Sequence, residues 1–345
     1  MLAIRFYCAF LLSLFYISPL FAQQLKIFTW EKFISQTVLD DFQKSTGHTV
    51  KLYYYDSEVD RDAILINGKG QRYDLVIADH ITARNYGKLG VLIPLADLPI
   101  KNLKHNGQQW QDACGKYGVP YAQGTLGIIH RSSVSNKKID SWRDLLTPPP
   151  EHIGTTMMLK DDVDTLAIAL LAQGKNPFTT DNVLLKSAYK LLSEQTKYLM
   201  KYGYPLTYLS ENREKSKLTL AASYSGDLTT IKKLSGQDDW EYIIPKEGTL
   251  YFIDCFTAPS GHRLKQATKD FLNFINSPAV AYNNARDIWF ATTNNAALLM
   301  ASDKYKHDKE LFPSISEQSH SRNYESIPVK DLVLRNRMIS LLGTK

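Results

Sequence analysis

The sequence is poor in the residues that build special frameworks. Its 345 residues contain three cysteines, too few for a disulfide-built scaffold or for a zinc module with several cysteine ligands. It has no long run of one charge: the 41 Lys and Arg side chains are scattered singly and in pairs despite a net charge of +6, which argues against a nucleic-acid partner. With 44% hydrophobic and 22% charged residues, the composition lies near the globular average and excludes disorder, collagen-like repeats and coiled coils. The length predicts two domains or one large one.

Long apolar runs are equally scarce, and the clearest one lies at the amino terminus. Residues 6–17 are largely apolar, follow the single charge of Arg5 and precede a small residue at Ala22. This stretch is shorter than the ~20 residues that span a bilayer as a helix. We therefore predict a cleaved signal peptide over residues 1–22, with cleavage near Ala22. A retained membrane anchor is the alternative.

The motifs of common enzymes are missing as well. We find no nucleophile elbow, zinc-protease helix or phosphate-binding loop, and the eight histidines show no metal-ligand spacing. The sequence therefore predicts no catalytic residue, no metal site and no cofactor. Two cysteines remain after cleavage, Cys114 and Cys255, and the sequence does not show whether they form a disulfide. An exported enzyme that uses Cys114 as its nucleophile is a remote alternative, because no base is evident beside it.

After the signal segment, short apolar strands alternate with amphipathic helices. The first such unit has helices at 36–45 and 60–66 and strands at 25–29, 49–54 and 74–78. This order predicts a parallel sheet with right-handed crossovers, in which ligands bind beyond the carboxyl ends of the strands. The residues that follow the first and third strands, 30–33 and 79–81, therefore lie at the expected binding edge.

The later chain predicts a second lobe. Residues 118–129 are interpreted as a strand pair broken by Gly124 and Gly127, and a second strand–helix alternation runs from 153 to 244. A return strand at 249–258 and a helix at 264–275 follow. Two lobes joined by extended crossings enclose a cleft that closes by hinge motion. We place residues 23–127 and 256–300 in lobe 1 and residues 128–255 and 301–345 in lobe 2.

Five segments in this order resemble the periplasmic polyamine-binding proteins, namely 25–33, 73–79, 119–128, 141–145 and 244–254. The resemblance implies an α/β, two-lobed periplasmic binding protein of type II, each lobe a mainly parallel sheet flanked by helices. It also implies a periplasmic location and a ligand such as spermidine, putrescine or norspermidine. The partner would be an inner-membrane ABC permease or, alternatively, a membrane-bound signalling sensor that controls biofilm through cyclic-di-GMP. Because the same fold holds receptors for other solutes, the ligand has to be argued from the site.

A linear polyamine needs carboxylates for its ammonium groups and aromatic faces for its methylenes. Asp254 is the best single candidate, because strand alternation places it on the same face as Phe252. The resemblance implies an amine-binding aspartate and an aromatic residue at these two positions. The alternative is a strand-end aspartate that bonds a neighbouring turn.

Further aromatic residues match positions that the resemblance implies for the walls of the cleft. Trp30 and Phe33 follow the first strand, and the resemblance implies a tryptophan at Tyr224 and a tyrosine at Phe290. Trp289 is the alternative to Phe290 if the match shifts by one residue. Simple packing within a lobe is the alternative for each of them.

A second acidic cluster precedes a helix predicted to begin near Thr165. The resemblance implies a ligand-binding aspartate at Asp162 and a glutamate three residues later, where this chain has Thr165. Asp164 is the residue that would replace the missing contact. Capping of the helix is the alternative for this cluster, since carboxylates at a helix start accept bonds from free N–H groups.

Two more candidates complete the predicted site. The resemblance implies a serine at Asp79 and a tyrosine at Ile81, so this wall has gained a carboxylate and lost a ring. Such changes alter the length or charge spacing of the preferred ligand while keeping cation binding. Ser210 is a candidate polar contact near the middle of the ligand.

Overall fold

The computed structural model describes residues 22–213, 216–261, 263–314 and 320–342. Apart from Ala22, the predicted signal peptide lies outside the described residues, so its cleavage stays a prediction. Within these ranges, no helix combines the length and the hydropathy that a bilayer span requires.

The described chain is a mixed α/β structure, as the sequence predicts. The strands are β1 Gln24–Thr29, β2 Thr49–Tyr54, β3 Leu75–Asp79, β4 Gly118–Arg131, β5 Thr156–Met158, β6 Leu199–Tyr202, β7 Leu220–Tyr224, β8 Trp240–Ile243, β9 Leu250–Thr257, β10 Ala291–Thr292 and β11 Arg322–Asn323. The helices are α1 Gln36–Thr46, α2 Glu58–Ile66, α3 His80–Lys88, α4 Gln108–Cys114, α5 Trp142–Leu146, α6 Asp164–Leu171, α7 Asn182–Gln195, α8 Pro205–Asn212, α9 Asp227–Ser235, α10 Gln266–Ile275, α11 Pro278–Ile288, α12 Asn295–Met300, α13 Asp303–Lys306 and α14 Val329–Leu342.

Lobe 1 is built on the strand order β2-β1-β3-β9-β4. β1 lies parallel to β2 and β3, β9 pairs with β3 in antiparallel orientation, and β4 pairs with β9 in antiparallel orientation. Both faces of β1 are covered, since Leu25 and Ile27 pack in one cluster and Phe28 in another. The three strands predicted for this lobe are confirmed to within one residue. Their parallel order brings the carboxyl ends of β1, β2 and β3 to one edge of the sheet.

Lobe 2 repeats the plan with the order β4-β7-β5-β6. β5 lies parallel to β6 and β7, whereas β4 pairs with β7 and β8 in antiparallel orientation. Its core is an apolar cluster centred on Trp142, α6 and α7. The two-lobed architecture, with a parallel group of strands in each lobe, is confirmed.

The first crossing between the lobes corrects the sequence interpretation. Residues 118–131 form one continuous strand, β4, rather than a strand pair broken at Gly124 and Gly127. Neither glycine interrupts the pairing; both make room for aromatic side chains. A Cβ on Gly124 would lie 2.5 Å from the Phe252 ring, and one on Gly127 would collide with Tyr242. The amino-terminal half of β4 therefore belongs to the sheet of lobe 1 and its other half to that of lobe 2.

The packing of the chain after residue 300 bears on where the lobes divide. Ala301, Tyr305 and Leu311 pack in the same cluster as Leu25 of lobe 1. The last helix, α14, packs on the core of lobe 2. The predicted division of the chain stays a prediction, and this packing favours a second boundary after Leu311 rather than after residue 300.

Cys114 and Cys255 form a disulfide that fastens the end of α4 to β9. Both are fully buried against Trp110 and Ala113. The sequence alone does not determine whether these two cysteines pair, and the structure shows that they do. Cys114 is therefore not a free thiol, and the disulfide speaks against its use as a nucleophile. A disulfide also agrees with export from the reducing cytoplasm.

Candidate functional site

A cavity of about 590 Å³ lies between the two lobes, beside the crossing strands β4 and β9. Seven of its lining residues are aromatic and five are acidic. They are Trp30, Phe33, Tyr204, Tyr224, Phe252, Phe290 and Tyr324, with Glu58, Asp79, Asp164, Asp227 and Asp254, and the remaining walls are Ala122, Gln123 and Ser225. None of these described lining residues is a lysine, arginine or histidine.

The aromatic side chains form a nearly continuous wall around the cavity. Trp30 from lobe 1 approaches Tyr204 from lobe 2 with ring centroids 5.6 Å apart, and Tyr204 lies 6.0 Å from Tyr224. Tyr224 in turn contacts Phe252 edge to face at 5.6 Å. Such ring faces bind both methylene groups and cations.

Two of the cavity carboxylates are satisfied by donors of the protein itself. Asp227, the first residue of α9, accepts from the Tyr204 hydroxyl at 2.7 Å, the Ser223 hydroxyl at 2.5 Å and the Tyr224 backbone N–H at 3.0 Å. Asp164, the first residue of α6, accepts from the Tyr224 hydroxyl at 2.7 Å and from the Tyr324 hydroxyl. Burial raises the pKa of each carboxyl to about 6, and these hydrogen bonds limit the rise.

Asp254 is the exception among the cavity carboxylates. Its side chain is only 6% exposed, and it accepts no hydrogen bond from any residue that the structure describes. Burial raises its pKa to about 7; the nearby Asp79 adds to the rise, and the Arg61 guanidinium opposes it. An ionised carboxylate without a partner is costly in such surroundings, so this position calls for a cation.

The remaining two carboxylates, Asp79 and Glu58, belong to a cluster around a buried arginine. Asp79 ends β3 and caps α3, because one carboxylate oxygen accepts from the backbone N–H groups of Ile81 and Thr82 at 2.9 Å each. Its other oxygen lies 3.5 Å from Arg61 Nη2. Glu58 lies 2.9 Å from Arg61 Nη1, and burial raises the pKa of this carboxyl well above its usual value.

The acidic turn before α6 has both of the roles that the sequence allowed, helix capping and a carboxylate in the cavity. Asp161 caps this helix, accepting from the backbone N–H groups of Val163 at 2.8 Å and Asp164 at 2.7 Å. Its second oxygen is buried and has no hydrogen-bond partner among the described residues. Of the three aspartates, Asp164 lines the cavity, Asp162 lines a neighbouring groove, and the ligand role of this cluster stays a prediction.

Three of the predicted site residues do not line the cavity. Asp162 lies in the turn between Asp161 and α6 and faces a neighbouring groove. Ser210 lies on α8 with its hydroxyl buried away from the cavity. Trp289 ends α11 in a left-handed conformation and directs its ring N–H to Asp308, so Phe290 is the cavity residue of the two alternatives. The other predicted residues, Trp30, Phe33, Asp79, Asp164, Tyr224, Phe252, Phe290 and Asp254, are brought together.

Several lining residues were missed by the sequence reasoning. Glu58 follows β2 at the same sheet edge as the residues after β1 and β3, so the rule that found those segments also pointed to it. Asp227 opens the helix after β7, three residues after the predicted Tyr224. Tyr204 and Tyr324 are far from any predicted motif, and nothing in the local sequence distinguishes them.

Side chains of the two lobes contact each other around the cavity. The Thr207 hydroxyl on α8 donates to Asp56 after β2 at 3.0 Å. The Asn85 amide on α3 donates to the Ser326 hydroxyl at 3.2 Å. The cavity is therefore covered by contacts that bridge the lobes. Within the described ranges, no group of three or more His, Cys, Asp or Glu side chains is arranged to hold a metal ion.

The fold and the interlobe cavity define a two-lobed substrate-binding protein of the periplasmic type. A solved structure from Listeria monocytogenes, assigned to spermidine/putrescine ABC transport, has the same fold with a TM-score of 0.83 at 23% identity. The match covers 93% of this chain and 99% of that one.

The sequence comparisons give the family. The model of the bacterial extracellular solute-binding proteins matches residues 37–313, so the chain belongs to this extracellular or periplasmic family. The norspermidine sensor of Vibrio cholerae is 28% identical over 92% of this chain and 88% of that protein. The putrescine-binding periplasmic protein SpuD of Pseudomonas aeruginosa is 26% identical over 89% of this chain and 88% of its own length. These relatives are solute-binding proteins rather than enzymes.

Proposed function

We propose that this protein is a periplasmic receptor that binds a linear polyamine between its lobes and presents it to a membrane protein. The polyamine would be spermidine, putrescine or norspermidine. The lobes would close over it by bending of the crossing strands β4 and β9. Binding without catalysis would be the whole of its chemistry.

Asp254 carries this proposal. A buried carboxylate with no hydrogen bond, in a cavity lined by seven aromatic rings and no basic side chain, matches an ammonium group better than an anion or a sugar. The ammonium would supply the missing partner, and the rings would pack on the methylenes that flank it. The names of the relatives support the same ligand class.

The expected membrane partner is the permease of an ABC importer. A polyamine-sensing role, in which the loaded receptor regulates a membrane signalling protein of cyclic-di-GMP and biofilm control, is the second candidate. This chain is 28% identical to the norspermidine sensor and 26% identical to the putrescine-binding protein. The slightly greater identity to the sensor favours keeping the sensing role as the second candidate. The carboxylate at Asp79, where the family resemblance implies a serine, is a further reason.

Calorimetry on the mature protein tests the ligand. Putrescine, spermidine, norspermidine and spermine are titrated beside a control panel of sulfate, a dicarboxylate and a neutral sugar. We expect binding of at least one polyamine, no heat from the control panel, and a smaller radius of gyration in X-ray scattering on polyamine binding. Binding of a control solute with no response to any polyamine would overturn the assignment and leave the fold intact.

A deletion strain tests the partner. Loss of labelled polyamine uptake on deletion, restored by the wild-type gene, would support the importer. Unchanged uptake together with a lost biofilm response to added polyamine would support the sensor instead.

A further inference from the structure

Arg61 lies beneath the cavity floor and is bonded by three carboxylates. Its side chain is fully buried, with Nη1 2.9 Å from Glu58, Nε 2.8 Å from Asp62 and Nη2 3.5 Å from Asp79. The guanidinium also lies 5.8 Å from the centre of the Tyr55 ring. This arrangement is a fixed cation with an aromatic neighbour at one end of the cavity.

Two of these carboxylates separate the cavity from a second, larger space. Glu58, Asp79 and Tyr324 line both the cavity and a groove of about 1420 Å³ between α2, α3 and α14. The groove carries three more acids, Asp62, Asp162 and Glu325, but most of its other lining residues are apolar. The partition between the two spaces is therefore held in place by bonds to Arg61.

We propose that Arg61 determines the length of the polyamine that the cavity accepts. It is a positioning residue: by pairing with Glu58 and Asp79 it keeps them as the closed end of the cavity and occupies the place where a further ammonium would otherwise pair with them. This inference rests on the proposed function, since it concerns which polyamine the same cavity selects.

The charges of the cluster give the direction of the effect. Glu58, Asp62 and Asp79 sum to −3 when ionised, and Arg61 brings the total to −2. Without Arg61, the carboxylates of Glu58 and Asp79 lose a donor that now satisfies them, and the nearest replacement is a ligand cation that enters from the cavity. A tetraamine that reaches past Asp254 toward the groove can place its last ammonium there.

The test compares a triamine with a tetraamine by calorimetry. Dissociation constants for norspermidine and spermine are measured on the wild type and on Arg61→Met. The wild type should bind the tetraamine no more tightly than the triamine. In Arg61→Met the ratio of the two constants should shift toward the tetraamine by about tenfold or more. An unchanged ratio in a folded variant would overturn the inference.

Two further variants separate this effect from a loss of packing. Arg61→Lys keeps a cation in the cluster and should keep the wild-type preference. Arg131→Met is the matched control, because Arg131 also pairs with an aspartate, Asp239, and lies over an aromatic ring, Trp240, but in lobe 2 outside the cavity. It should leave the ratio unchanged.

A double variant provides the test if Arg61→Met does not fold. Arg61→Met combined with Asp62→Asn keeps the formal charge of the cluster at the wild-type value and should show the same shift. The wild type alone remains decisive, since a preference for spermine of more than about tenfold would contradict a closed cavity end. If the wild type binds no polyamine at all, the proposed function fails; if it binds polyamines but the ratio does not move, this inference fails alone.

Discussion

Asp227 and Asp254 are buried carboxylates of one cavity, and the protein treats them in opposite ways. Asp227, at the start of a helix in lobe 2, has three donors around it, from Tyr204, Ser223 and the Tyr224 backbone. Asp254, on the strand that crosses between the lobes, has none among the described residues. Each is less than one tenth exposed. The difference is therefore one of partners rather than of burial.

The contrast distinguishes a structural carboxylate from one kept for a ligand. The hydrogen bonds of Asp227 form within lobe 2 and hold the Tyr204 ring and the Tyr224 backbone in the wall, so they help to shape the cavity whether or not it is occupied. An unpaired Asp254 makes the ligand-free cavity less stable and increases what a cation gains on entry. Substitutions at Asp254 and Asp227 separate the two roles.

The largest expected effect is the loss of affinity in Asp254→Ala. Removal of the unpaired carboxylate should weaken polyamine binding by about 100-fold, or ~2.7 kcal/mol, because the ammonium then enters a buried site without its counter-charge. Calorimetry measures this directly. The melting temperature of the ligand-free variant should be equal to or above that of the wild type, since no hydrogen bond is lost.

Asp162→Ala is the control for that measurement. This residue belongs to the same acidic neighbourhood but faces the groove, so its removal should change affinity only slightly. Equal losses in the two variants would show that the general field of the acids, rather than a contact at Asp254, governs binding.

The opposite pattern is expected for Asp227→Ala. This change leaves the Ser223 and Tyr204 hydroxyls and one backbone N–H without their acceptor, which should lower the free energy of unfolding by about 2–3 kcal/mol in the absence of ligand. Chemical denaturation of the ligand-free protein measures it. Undiminished stability combined with a loss of affinity as large as that of Asp254→Ala would remove the distinction drawn here.

The sequence predicted the frame of this site better than its details. The strand before Trp30 and the strand that ends at Asp79 could be predicted, because their apolar runs are short and are bounded by helices with a clear apolar face. Phe252 and Asp254 share a face through simple strand alternation. These features depend on local patterns, which a single sequence displays.

The rest depends on geometry that no local pattern shows. Within the turn before α6, Asp161, Asp162 and Asp164 point in three directions, and only the backbone path decides which one reaches the cavity. The local sequence indicates breaks at the glycines of β4, because it does not show the rings that fill the space beside them. These rings, Phe252 and Tyr242, come from distant strands. Tyr204 and Tyr324 join the wall for the same reason, through tertiary contacts alone.

Polyamine affinity should also depend on pH through Asp254. The pKa of Asp254 is raised to about 7, so lowering the pH from 8 to 6 should protonate it and weaken polyamine binding by about tenfold. The same lowering of pH should increase the free energy of unfolding of the ligand-free protein. Between the unfolded pKa near ~3.9 and the folded value, the native state holds the proton and the unfolded state does not, so this contribution to stability falls as the pH rises.

Asp254→Asn isolates this contribution. Calorimetry and thermal unfolding at several pH values should show a smaller pH dependence in the variant than in the wild type, for affinity and for ligand-free stability alike. Identical pH profiles would assign the titration to another group, such as Asp227 or Asp164.

The smallest expected effect concerns the aromatic wall that faces both carboxylates. Trp30 contacts Tyr55 within lobe 1 at 4.5 Å and approaches Tyr204, the hydroxyl donor to Asp227, across the cleft. Trp30→Phe keeps a ring at this position but reduces its area and its attraction for a cation. We expect affinity to fall by about three- to fivefold, which corresponds to ~0.6–1 kcal/mol. Trp110→Phe, a change at a tryptophan that packs beside the disulfide and outside the cavity, is the control. If Trp30→Phe lowers the melting temperature of the ligand-free protein while the dissociation constant stays the same, Trp30 is a packing residue of lobe 1, and the aromatic wall contributes shape rather than affinity.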